Sequence, residues 1–180
     1  MIWFSADFHF NHPRILIYAK RPFKDIHHMH KVLQQNHNAR VKPDDDVYHI
    51  GDFACLGKEK GEAGLNIPPR DLEHMLNGKI MHIRGNHDKT NGLKNVLQKG
   101  EIFLGGKRIL LIHKPPPVVA GDIELVLCGH VHQAWHTKWT RNVNGKHIPM
   151  VNVGVDVNRF MPINISEILN IVIKMKKGVK

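Results

Sequence analysis

The sequence predicts an α/β fold of mixed α+β character, with mixed sheets packed between helices. Three observations predict it. Short apolar runs outnumber helical periodicities, turn residues bound those runs, and run after run ends on Asp, His or Asn. At 180 residues the chain suits one domain spanning 1–180, long enough to bury a substantial core. Its 42% apolar and 23% charged residues are those of an ordinary soluble globule, neither disordered nor fibrous.

The elements follow in order. "IWFSAD" is a short apolar run ending in a polar turn, a buried strand that delivers Asp7. From Asp25 to Arg40, Ile26, Met29 and Leu33 recur at helical spacing, with Val41 next and Pro43 closing the segment. "DVYHIGD" is a second strand ending on aspartate, and "CLGKEKGEAGLNIPP" reads as a surface loop. "PRDLEHMLNG" is a short helix stopped by Gly78, "KIMHIRGNHD" a strand, and "GLKNVLQKG" a weak helix. "EIFLGGKRILLIHK" is a hairpin about Gly105-Gly106, ended by Pro115 to Pro117, and "IELVLCGH" a buried strand. Two strands then meet at Asn144-Gly145, the strongest short hairpin signal in the chain. Asn164 with Glu167 three residues on resembles a capping box, opening a helix through Ile168, Leu169, Val172 and Met175.

Composition excludes several functions. No apolar run approaches the roughly 18 residues of a membrane span, so no membrane partner is expected. The N-terminal stretch "MIWFSADFH" lacks the marks of a secretory signal, which makes the cytoplasm the expected compartment. Cys55 and Cys128 are far apart and neither lies in a Cys-x-x-Cys pair, against a disulfide framework or a thiolate zinc site. The net charge of +10 favours a phosphate-bearing or polyanionic partner, nucleic acid among them.

The chemistry lies where the strands end. Asp7 and His9, Asp52, Asn86 and His87, His113, and His130 and His132 all fall at strand carboxyl ends, where sites in sheet proteins are commonly built. Singly, each is an ordinary turn residue. Together they make a mixed oxygen and nitrogen ligand set without thiolate, suited to Mn²⁺, Fe or Zn²⁺. Even with one of these eight residues set aside, seven candidate ligands exceed one tetrahedral ion but match two ions sharing a carboxylate, which at about 3.5–4 Å apart clamp a phosphoryl group.

The ordered series "DFH", "GDF", "GNHD", the His of "LLIHK" and "GHVH" resembles the five motifs of the calcineurin-like metallophosphoesterases. "FSADFHFNH", "KRPF", "VKPDDDVYHIGD" and "VNVGVD" are similar to the small prokaryotic and phage branch, extending the resemblance over most of the chain. It implies a four-layer sandwich of two mixed sheets flanked by helices, with a dinuclear metal site at the strand carboxyl ends. It implies that Asp7, His9, Asp52 and His132 hold one ion, and Asp52, Asn86, His113 and His130 the other. Mn is the first expectation for both divalent ions, with Fe, Zn, Ni or Co as alternatives. His87 is then no ligand but a catalytic group facing the phosphate. The implied reaction is in-line attack on phosphorus by metal-bound hydroxide.

Around these sit weaker candidates for substrate contact or support. Asn11 and His12 closely follow the first motif, and Arg84 precedes Asn86 by two positions, although it can point from the other strand face. Asp88 either orients His87 or caps the short helix expected after it, with the cap favoured. His49 is a candidate support three residues before Asp52. Phe53, Trp135 and Trp139 suit core or hairpin packing better than base stacking, and Cys128 reads as a buried small hydrophobe. One departure from the family is "HKPPP" after His113, where some members carry glycine; it bears on the substrate pocket and not on the metals. The leading expectation is a phosphodiesterase acting on nucleotides or nucleic-acid ends, with a phosphomonoesterase as its rival. A non-catalytic scaffold would be expected to have eroded ligands, and here every motif is intact.

Overall fold

The computed structural model describes residues 1–55, 66–88, 92–93 and 96–178. In chain order the elements are β1 (Ile2–Ser5), α1 (Ile15–Tyr18), α2 (Ile26–Arg40), β2 (Asp46–Ile50), α3 (Pro69–His74), β3 (Lys79–Ile83), β4 (Val96–Leu97), β5 (Gly100–Leu104), β6 (Lys107–Leu111), β7 (Val118–Val119), β8 (Leu125–Cys128), β9 (Thr137–Asn142), β10 (His147–Asn152), β11 (Ile163–Asn164) and α4 (Ile165–Lys176). They form two mixed sheets, as the resemblance implies.

The first sheet runs β11-β1-β2-β3-β4, with β1 to β4 parallel and β11 antiparallel to β1. The second runs β5-β6-β8-β10-β9-β7, with β6, β8 and β10 parallel at its centre. Parallel neighbours point their carboxyl ends the same way, so β1, β2 and β3 release their loops on one side, as do β6 and β8.

Side-chain alternation explains the sandwich. Ile109 and Leu111 on β6, and Leu125 and Leu127 on β8, join Phe4, Ile50 and Ile83 of the first sheet in one core between the sheets. The residues between them, Leu110, Val126 and Cys128, face the opposite way and pack with Ile148 and Met150. Both faces of these strands are therefore covered, which is why "RILL" and "LVLC" are continuous apolar runs. Each fully buried Leu or Ile stabilises by roughly 1.5–3 kcal/mol. The outer face of the first sheet is closed by α2 and α3, through Met29, Leu33 and Leu72 against Phe8, Phe10 and Phe53.

Helix ends match their sequence signals. Asp25 caps α2 by accepting the His28 N–H at 2.8 Å. At α4, Asn164 Oδ1 accepts the Glu167 N–H while Glu167 accepts the Asn164 N–H, so both halves of the capping box form. Both expected hairpins form, β5–β6 across Gly105-Gly106 and β9–β10 across Asn144-Gly145.

Two expectations change. The short helix over "PRDLEHMLNG" ends at His74, before Gly78. The weak helix over "GLKNVLQKG" is absent where that stretch is described: Val96 and Leu97 pair with His82 and Ile83 as β4. Most of the loop expected after Cys55 lies outside the described residues. Among the described residues no helix is long and apolar enough to cross a membrane.

Candidate metal centre

The strand-end residues converge. Asp7, His9, Asn11, Asp52, His130 and His132 all take left-handed backbone conformations, with φ between 45° and 72°. Outside glycine such conformations cost of order 1–3 kcal/mol each and persist where the surroundings fix them. Here they turn the chain sharply as it leaves each strand and carry every one of these side chains except that of Asn11 into one space. Two glycines make room. A Cβ on Gly85 would overlap the Asp52 carboxylate, and one on Gly51, at φ 84°, would overlap the His113 ring.

Two groups of donor atoms result. Asp7, His9 and His132 offer ligand atoms within 4.8 Å of one another, and so do Asp52, His113 and His130. Asn86 belongs with the second group, its Oδ1 lying 3.2 Å from His113 Nε2. Asp52 Oδ2 is 3.2 Å from His113 Nε2 and 3.6 Å from His9 Nε2, so a single oxygen borders both groups. His87 is exposed at the rim, its backbone N–H donating to Asp52 Oδ1 at 2.9 Å. Its ring also comes within 4.8 Å of His9 and Asp52 donor atoms.

Neighbours hold the rings in orientation. His113 Nδ1 bonds the Ile50 carbonyl at 2.9 Å, which presents Nε2 to Asp52 and Asn86. His132 Nδ1 bonds Asp156 at 2.8 Å, and Asp156 is held in turn by Arg21. Arg21 also donates to the Asp7 and Phe8 carbonyls, tying the first-motif turn to the same network. Imidazoles whose second nitrogen is fixed by a carbonyl or carboxylate are typical of metal ligands. His12 Nδ1 lies 3.2 Å from His9 Nδ1, leaving His9 Nε2 buried with no hydrogen-bond partner among the described residues.

That orphaned nitrogen, inside a set of carboxylates, imidazoles and one carboxamide, is what a divalent cation would satisfy. Burial pushes the Asp7 carboxyl up to about 6, partly opposed by His113 and His132. Burial disfavours charge on His113 too, but the Asp52 hydrogen bond and the Asp7 and Asp52 charges outweigh it and lift its pKa to about 9. Asp52, raised by burial, is brought below the usual carboxylate range by His113.

The weaker candidates divide. His12 lines the centre and steadies His9. Asn11 faces away: its amide donates to the Cys55 and Ile67 carbonyls, tying the loop. Asp88 accepts the backbone N–H groups of Asp52, Phe53 and Gly85 at 2.8–3.0 Å, so it locks the "GDF" and "GNHD" turns together. The helix it was expected to cap is absent where "GLKNVLQKG" is described, since Val96 and Leu97 form β4. Arg84 is half-buried and does not line the centre. His49 is buried against Phe8 and Phe53 and makes no hydrogen bond among the described residues, so it supports no ligand there. Arg21 and Asp156 are contributors that residue-level reading passed over, although "KRPF" and "VNVGVD" contain them.

No model of a known protein family matches the chain. A relative from Methanocaldococcus jannaschii, the uncharacterized protein MJ1445, is 34% identical over 176 residues, which is 97% of this chain and 93% of the relative. The chain belongs to one family with MJ1445, and its fold is that of the metallophosphoesterases. Among solved structures of similar fold is the protein of unknown function AQ665 from Aquifex aeolicus, at 26% identity and a TM-score of 0.70. That match covers 95% of this chain and 98% of AQ665. Yfce, a phosphoesterase from E. coli, aligns at 16% identity with a TM-score of 0.47, covering 84% of this chain and 77% of its own. The chain carries this fold together with His/Asp groups able to hold metal.

Proposed function

We propose that the protein is a two-metal hydrolase of phosphate esters, a phosphodiesterase acting on nucleotides or nucleic-acid-type diesters. One observation carries the reading: the Asp52 carboxylate borders both donor groups, the position of a carboxylate shared between two ions. Asp7, His9, Asp52 and His132 would hold one ion, and Asp52, Asn86, His113 and His130 the other, with Mn²⁺ the first candidate. Bound there, the ions would supply hydroxide at neutral pH and neutralise phosphoryl oxygens.

The chain does the rest. The Ile50 carbonyl and Asp156 fix the tautomers of His113 and His132, so that Nε2 of each faces inward. His12 lines a cavity of about 240 Å³ together with His87, Tyr18 and Ile15, and the exposed His87 ring can reach a leaving-group oxygen there. Proton donation by a histidine so placed is general acid catalysis. The net charge of +10 suits an anionic ester, nucleic acid included.

The test compares hydrolysis of bis(4-nitrophenyl) phosphate with that of 4-nitrophenyl phosphate by the Mn²⁺-loaded protein. Faster diester turnover is expected. Monoester preference would make the protein a phosphatase, and bound metal without turnover of either would make it a scaffold.

A further inference from the structure

A second cavity of about 460 Å³, within the roughly 300–1,000 Å³ range of small-molecule sites, opens beside the metal centre. His130 lines both cavities, so the second borders the same residue as the metal centre. The second has a different character. Trp135, Trp139 and Pro115 to Pro117 give it flat apolar walls, and Lys114 and Lys138, both exposed, place two cations on it.

The walls are preformed. Thr140 is buried, and its hydroxyl donates to the Pro116 and Pro117 carbonyls at 3.1 and 2.8 Å, pinning the proline segment to β9. Asn152 donates to the Trp135 carbonyl at 3.0 Å, fixing the turn that carries that indole. Trp139 is 41% exposed, so much of its ring is open to a ligand. The departure at "HKPPP" acquires a location: it builds one side of this cavity.

We propose that this cavity is a nucleobase subsite, holding the base of a nucleoside phosphate ester whose phosphate lies at the metal centre. Indoles stack on any base because every base has a π-face, and ammonium groups beside them select for a ligand that is also anionic. A purely apolar occupant would leave both lysines unused. The inference rests on the phosphoesterase reading for its phosphate end and not for its base end.

The chain has three tryptophans, so three indole N–H signals report on it by NMR. Trp3 is an internal reference, since its Nε1 donates to Asp45 at 2.9 Å in the buried interior. The Zn²⁺-loaded protein is titrated with AMP, ribose 5-phosphate and phenyl phosphate. AMP is expected to move the Trp135 and Trp139 signals but not Trp3, and to bind about tenfold more tightly than ribose 5-phosphate, the worth of one stacked base. Trp139→Ala, a change at an exposed position, is expected to abolish that advantage. Equal binding of AMP and ribose 5-phosphate, an unmoved pair of indole signals, or phenyl phosphate binding as tightly as AMP would each overturn the subsite. Turnover of bis(4-nitrophenyl) phosphate is measured separately. Indole shifts without turnover retain the subsite and remove the hydrolase, and turnover without shifts does the reverse.

Discussion

Asp52 and His87 sit 35 residues apart in sequence, joined by one hydrogen bond, and the proposed function gives them separate tasks, binding and catalysis. Asp52 is the carboxylate both donor groups border, and an amide in its place keeps the shape but loses the charge that two cations would share. Asp52→Asn is therefore expected to lose both ions, measured as metal content after gel filtration. His87→Asn is expected to retain its metal and to lose turnover by about 10²–10⁴-fold, the usual contribution of a positioned acid. The His87 ring lies close enough to His9 and Asp52 to act as a ligand. Loss of metal from His87→Asn would assign it that role and withdraw the acid.

Among elements, the ends of β1, β2, β3, β6 and β8 make the site, and Asp88 joins two of those ends. Its carboxylate is 5% exposed and takes three backbone N–H groups from two loops. Asp88→Ala strands those donors, at about 1–3 kcal/mol for each buried group left unsatisfied. Denaturant unfolding should therefore show a loss of at least about 2 kcal/mol, along with weaker metal retention. Much of this level was legible in the sequence, because each candidate ligand follows its strand within a few residues and local pattern finds both. The capping box of α4 and the Asn144-Gly145 turn were legible for the same reason. What escaped was long-range or very short. Arg21 and Asp156 meet across 135 positions, and no spacing rule pairs them. β4 and β11 hold two residues each, below the length at which alternation can be read, and their pairing with β3 and β1 decides their conformation. Asn11 and Asp88 follow metal motifs and so looked substrate-facing or cap-like. Only the fold shows Asn11 turned to backbone carbonyls and Asp88 closed upon backbone amides.

For the whole molecule, the buried histidines among the 15 in the chain fall into two opposed groups, while His27, His28, His74 and His147 are exposed. Some meet at the centre; others are buried neutral in the first sheet's outer core, where burial holds His37 below its usual value and His49 well below it. His30 is the clearest case. Its Nε2 accepts the Asn11 N–H at 2.8 Å, which requires the neutral ring, and burial, with His27 nearby, brings its pKa down to about 4. The unfolded chain, titrating near 6.5, binds more protons across that window than the folded one. His30's contribution is thus complete above pH 6.5 and lost as pH falls towards 4, by up to about 3 kcal/mol at 1.36 kcal/mol per unit. Asp7 runs the other way in metal-free protein, since a carboxyl raised to about 6 favours the fold as pH falls. Comparing variants removes that opposition. Glutamine at position 30 offers an oxygen to the same N–H but no titration, so His30→Gln and the parent should diverge only in acid. Urea unfolding of the metal-free proteins at pH 7 and pH 4 should shift the difference by about 2–3 kcal/mol in the variant's favour. A difference that does not change with pH would show that the Asn11–His30 bond does not carry the acid sensitivity.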